Sequence, residues 1–133
     1  MYKNEVFLIL SIIDNKNMED LANIYDIKPT KIWNKGDFRV KGSILKHKDF
    51  GFTIEKKYKN ICHVKTILSK FLKDKNVKKT IALQNVKKIL SVVIYANCTD
   101  EYTGSLPSLC YDTQILEILA KNEVNLEHDI YLV

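Results

Sequence analysis

Apolar residues recur along this chain in distinct rhythms, and each rhythm predicts an element. Glu5 to Ile13 is nearly unbroken in Val, Phe, Leu and Ile. Its length and β-branching predict a strand buried on both faces. Ile89 to Ala96 repeats the pattern and predicts a second central strand. Phe50, Phe52 and Ile54 alternate with Gly51, Thr53 and Glu55, the mark of a strand with one buried and one wet face. Leu126, His128, Ile130 and Leu132 alternate to the end of the chain as a last strand. Leu106 to Tyr111 predicts a short strand that Pro107 keeps to an edge or an end.

Helical spacing fills the gaps. Asn17 caps Met18, Leu21, Ile24 and Tyr25, a helix to about Asp26 that Lys28-Pro29 stops. Asn60 is expected to cap an amphipathic helix through Ile61, Val64, Ile67, Leu68, Phe71 and Leu72, with lysines between. A shorter helix is expected from Val77 to Lys87, burying Ile81 and Val86. Asp112 caps another through Ile115, Leu116, Ile118 and Leu119. Pro29 to Gly42 is less regular: Asn34-Lys35-Gly36-Asp37 reads as a turn, and Phe38, Val40 and Ile44 as one strand beyond it. Asn97 to Ser105 is a polar loop.

From Phe50 onward the order strand, helices, strand, strand, helix, strand predicts a ferredoxin-like, split βαβ arrangement with an extra N-terminal strand and helix. The class expected is α+β, with helices on one face of a mainly antiparallel sheet. A length of 133 residues predicts one domain, 1–133. Apolar runs stay short of the roughly 18 residues of a membrane span, and the basic start and cleavage site of a signal peptide are missing, so a cytoplasmic protein without membrane contact is expected.

Charge changes the picture. Residues 28–88 carry eighteen of the 21 basic residues and only Asp37, Asp49, Glu55 and Asp74 as acids, a net of +14. The flanks carry −9, leaving +5 for the chain. Such a map invites a nucleic-acid reading, but acidic and basic elements folded side by side solve it equally well. Twenty lysines to the single Arg39 weaken the nucleic-acid case, since the guanidinium fork grips phosphates and base edges best. Lys70, Lys73, Lys75, Lys78, Lys79, Lys87 and Lys88 read as solvated helix faces, as attraction for an acidic protein partner, or as weak, non-specific attraction for nucleic acid.

Candidate chemistry is sparse. Cys62, Cys98 and Cys110 are odd in number and set among apolar residues, so buried free thiols are expected. Cys62-His63 cannot easily share one ion, since neighbouring helix positions point about 100° apart. Cys110 meets His128 only if the last two strands pair, and no third group orients them. The four glycines form no phosphate loop. Neither metal, cofactor nor catalytic residues are therefore expected.

The candidate binding surface is Thr30, Lys31, Trp33, Lys35 and Asp37, a turn that holds the only tryptophan between two lysines. Exposed, Trp33 anchors a protein or stacks a base; buried, it is a lid with its indole N–H bonded to a carbonyl.

The run Asp26-Ile27-Lys28-Pro29-Thr30 with Lys35-Gly36-Asp37 resembles a segment of the bacterial "domain of unknown function 4279" family. So does the end of the chain, through Ser108-Leu109, Ile115-Leu116, Leu119-Ala120 and Leu126-Glu127-His128-Asp129-Ile130-Tyr131. Family members often carry tryptophan in the strand after the turn, where this chain has Phe50 or Phe52. The resemblance spans nearly the whole length, and implies a stand-alone bacterial domain but no activity. The function expected is a small non-catalytic protein-interaction module of the immunity or antitoxin kind. The alternative is a nucleic-acid-binding domain using residues 28–88.

Overall fold

A computed structural model describes residues 3–37, 39, 45–97 and 106–133. The expected strand through Phe38, Val40 and Ile44 lies outside these, as does the polar loop beyond Asn97. The described elements are β1 (Asn4–Asp14), α1 (Met18–Ile24), β2 (Lys31–Trp33), β3 (Phe50–Lys59), α2 (Val64–Lys73), α3 (Lys75–Ile81), β4 (Lys87–Ala96), α4 (Thr113–Lys121) and β5 (Val124–Leu132).

The class is α+β, and the strands form one sheet in the order β2-β3-β1-β4-β5. Both unbroken apolar runs are interior strands. The sheet is mixed rather than mainly antiparallel: β1 pairs antiparallel with β3 and β4, β2 antiparallel with β3, and β4 parallel with β5. The expected ferredoxin-like order needed a strand at Leu106–Tyr111. That stretch makes only an isolated bridge, Ser108 to His63. Among the described residues α4 is the one element between β4 and β5, and the crossover that contains it returns the chain parallel.

Alternation splits the sheet into two unlike faces. On one, Val6, Leu8, Leu10, Ile12, Leu90, Val92 and Ile94 are 0–1% exposed and share a core with Val64, Leu68, Phe71, Val77, Ile115 and Leu119 of the helices. On the other, Phe7, Ile9, Ile13, Ile89 and Val93 are only half-buried. β1 and β4 are thus not buried on both sides, as their apolar runs suggested. The helices cover one face alone.

Local chemistry sets most element ends. Asn17 Oδ1 accepts from Glu19 N, Asp74 Oδ1 from Asn76 N and Val77 N, and Asp112 Oδ1 from Ile115 N. α1 ends on Asp26, whose left-handed φ of 53° lets Ile27 N donate back to Ala22 O. Three helix boundaries differ from expectation, the first being that of α3, which starts at Lys75 and not Val77 because Asp74 caps it. Asn60 caps no helix; it has φ 57°, and α2 starts after His63. The Asn4 carboxamide holds Ile61 extended, donating to Ile61 O and accepting from Ile61 N, both at 2.8 Å. The helix expected to reach Lys87 stops at Ile81, because Lys88 Nζ donates to the carbonyls of Ile81 and Leu83 at 2.7 Å each. Burial holds this ammonium's pKa below its ordinary value, with Glu123 acting against the shift.

Candidate docking surface

The residues singled out in the sequence divide into builders and displayed groups. Thr30 is spent on the sheet: its N–H donates to Thr53 O and its Oγ1 accepts from Glu55 N. Asp37 closes the turn, its Oδ2 accepting from Asn34 N at 2.7 Å. Lys35 is exposed on that turn, while Lys31 lies on β2, 3.5 Å from Glu55 Oε2. Trp33 is half-buried. Its indole lies against Gly51, where any Cβ would strike it, and stacks on His47 at 4.8 Å. The indole Nε1 meets no acceptor among the described residues, so the lid's expected carbonyl bond is not formed.

Trp33 and Lys31 belong to a larger surface, the face of the sheet that no described helix covers. Register brings Trp33, Gly51, Ile13 and Lys87 into one cross-strand row, and Lys57, Phe7, Val93 and Asp129 into another. At the far end Lys59, Glu5, Tyr95 and Tyr131 align. Tyr131 stacks on Tyr95 at 5.1 Å, Phe7 meets Tyr95 edge-on at 5.8 Å, and Lys57 Nζ sits 5.5 Å from the Phe7 ring centre. Phe7, Tyr95 and Tyr131 escaped the sequence reading, which took the two apolar runs as buried on both faces; Glu5, Ser11 and Ser91, in the same rows, were the signal that this side stays bare.

Charge on this face balances. Lys31, Lys57, Lys59 and Lys87 stand against Glu5, Glu55, Glu127 and Asp129. Lys57 pairs with Glu5 at 3.3 Å. The lysines of the helices point elsewhere: Lys65, Lys70, Lys73, Lys75 and Lys78 are exposed on the covered side of the sheet. Part of the opposite charge of the flanks is answered inside the fold, by Glu5 on Lys57 and by Asp26 on Lys79 at 3.4 Å.

Two of the three thiols differ from expectation, and Cys98 lies outside the described residues. Cys62 and Cys110 are both exposed, since each lies in irregular chain between elements and not on a packed face. Among the described residues no group of three or more His, Cys, Asp or Glu side chains is placed to hold a metal. It is Tyr111, not Cys110, that reaches His128, with its hydroxyl 2.6 Å from Nε2. Burial pushes the Tyr111 phenol up to about 12, against about 10 for a free tyrosine. A raised folded pKa means that the neutral phenol stabilises the fold fully below pH of about 10, and that this contribution is lost as pH climbs toward 12. In an ultraviolet titration of the folded protein, Tyr111→Phe should remove the step near pH 12. Persistence of that step would assign it to another tyrosine.

Among the described residues no helix is long and apolar enough to cross a membrane. No curated protein and no solved structure matches the chain. A family model does match, over residues 4–133, and by that near-complete span the chain belongs to the family described as Domain of unknown function (DUF4279).

Proposed function

We propose that this chain is a small, non-catalytic bacterial protein-interaction module, of the immunity or antitoxin kind, that receives a partner protein on the open face of its sheet. The observation that carries the reading is the one-sided placement of the helices. It leaves an apolar and aromatic row from Ile13 through Ile9 and Phe7 to Tyr95 and Tyr131 half-covered or exposed. Contiguous apolar surface rimmed by polar groups marks interaction sites on soluble proteins. Aromatic residues are also the side chains in which binding energy concentrates. The lysines of α2 and α3 lie on the opposite side, where they attract an acidic partner at long range without shaping a site.

One observation favours the nucleic-acid reading: Phe7, Tyr95 and Tyr131 sit beside Lys57 and Lys59, as a stacking platform requires. The balanced charge of the face weighs against it. Affinity for oligonucleotides is therefore expected only in the non-specific range, around 10⁻⁴–10⁻⁶ M at physiological salt.

Variants on the two sides of the sheet test the proposal. Proteins captured from the source cells by the wild type should be lost with Val93→Arg on the open face and kept with Lys70→Glu on the helix face. The reverse pattern would move docking to the helices. Nanomolar oligonucleotide binding that survives raised salt and falls with Phe7→Ala would replace this reading with the nucleic-acid one.

A further inference from the structure

The two edges of the sheet are treated differently. β2, at one end, offers three residues. β5, at the other, offers nine, and no described strand pairs with its outer side. Natural sheets blunt long edges with charged side chains, above all lysine, or with proline or bulges, because a row of free N–H and C=O groups is a template for another chain; the charges on β5 are Glu127 and Asp129, which repel an acidic strand but not a basic one. Val124–Leu132 contains neither lysine nor proline. Its far half is also bare of side-chain cover: Ile130 is 45% exposed, Tyr131 49% and Leu132 64%.

The outward groups can be assigned. Val133 N donates to Ala96 O, so position 133 points its backbone toward β4. By alternation Asn125, Glu127, Asp129 and Tyr131 do the same, while Leu126, His128, Ile130 and Leu132 present their N–H and C=O to the free side. The side chains alternate as well. Leu126, His128, Ile130 and Leu132 line the helix side; Asn125, Glu127, Asp129 and Tyr131 line the open face. Glu127 and Asp129 have no ion partner among the described residues.

We propose that β5 binds its partner by strand addition, and that the added strand alternates basic and apolar residues. The inference rests on the interaction-module reading and names the chemistry of the partner. Strand addition takes affinity from main-chain hydrogen bonds and specificity from alternate side chains. A residue directly across the ladder lies about 4.5–5.5 Å away between Cβ atoms, within reach of an ion pair. Basic residues of the incoming strand meet Glu127 and Asp129, and its apolar residues extend the row of Leu126, Ile130 and Leu132. A second copy of β5 fits poorly. Antiparallel self-pairing centred on His128 sets Glu127 opposite Asp129 of the other copy, and like charges directly opposite are destabilising.

The probe is a fluorescent peptide of about seven residues alternating lysine and valine, long enough to span the outward groups. One control has the same composition with its lysines and valines in separate blocks. Another alternates glutamate with valine. The wild type should bind the alternating basic peptide and neither control. Glu127→Lys with Asp129→Lys should weaken that binding by about tenfold or more and transfer preference to the glutamate peptide. Ile130→Pro should abolish binding while leaving the β4 ladder intact, since it removes an outward N–H only. Equal binding of the blocked peptide would reduce the interaction to net charge and overturn the proposal. Binding unchanged by the charge-reversed pair would overturn it equally, and that variant decides the matter if Ile130→Pro does not fold. Failure here with partner capture still lost in Val93→Arg leaves the interaction module standing without strand addition.

Discussion

Truncation of Phe71 to alanine is expected to cost about 3–5 kcal/mol of folding stability. Phe71 is fully buried and among the largest fully buried side chains of the protein. It lies on α2, on the stripe with Val64, Ile67, Leu68 and Leu72 that closes over the covered face of the sheet. Removing the ring forfeits its transfer free energy and leaves a cavity that helix and sheet, each held by its own hydrogen bonds, cannot fully collapse. Leu68→Ala, equally buried, should cost about 2–5 kcal/mol by the same mechanism. Urea unfolding measures both. Leu116→Ala, on the exposed side of α4, serves as the control and should stay within about 0.5 kcal/mol. A loss that small at Phe71 would mean that α2 does not seal the core.

Loss of the Asn4 carboxamide should be the most damaging single polar change. Asn4 is buried, and it satisfies both backbone groups of Ile61 from 57 residues away. A buried polar group left bare costs about 1–3 kcal/mol, and water recovers part of that for the two groups of the half-buried Ile61, so Asn4→Ala is expected to destabilise by about 2–4 kcal/mol. The link also holds the end of β3 against β1 and sets where α2 begins. Hydrogen exchange should therefore accelerate first at the amides of Ile61 and Val64. Uniform acceleration over the whole chain would show that the carboxamide contributes to global stability without defining this corner.

Much of the fold was legible in the sequence because it is decided by neighbours along the chain. The stripe Val64, Ile67, Leu68, Phe71 and Leu72 is helical by spacing alone, and the structure buries all five. Asn17 and Asp112 cap their helices through amides two and three residues on. The runs that became β1 and β4 are interior strands, as their apolar content required. The candidate site was only partly legible. Lys31 and Trp33 reach the open face, but Thr30 is absorbed by the backbone of β3, Asp37 by that of its own turn, and Lys35 stays on the turn.

The sequence by itself determined which residues are apolar partners and where most helices begin, since side-chain period and capping bonds act over a few residues. On β1 the sequence already favours the row that meets helices, since Val6, Leu8, Leu10 and Ile12 are unbroken while Glu5 and Ser11 interrupt the row of Phe7, Ile9 and Ile13; only the tertiary structure brought the described helices to that side alone. It decided likewise that Asn60 would not cap, because Ile61 answers to Asn4. Leu106–Tyr111 stayed out of the sheet, and β5 lies parallel to β4 with no described strand on its other side. The last two outcomes are choices between partners distant in sequence, which side-chain period and capping over a few residues do not specify.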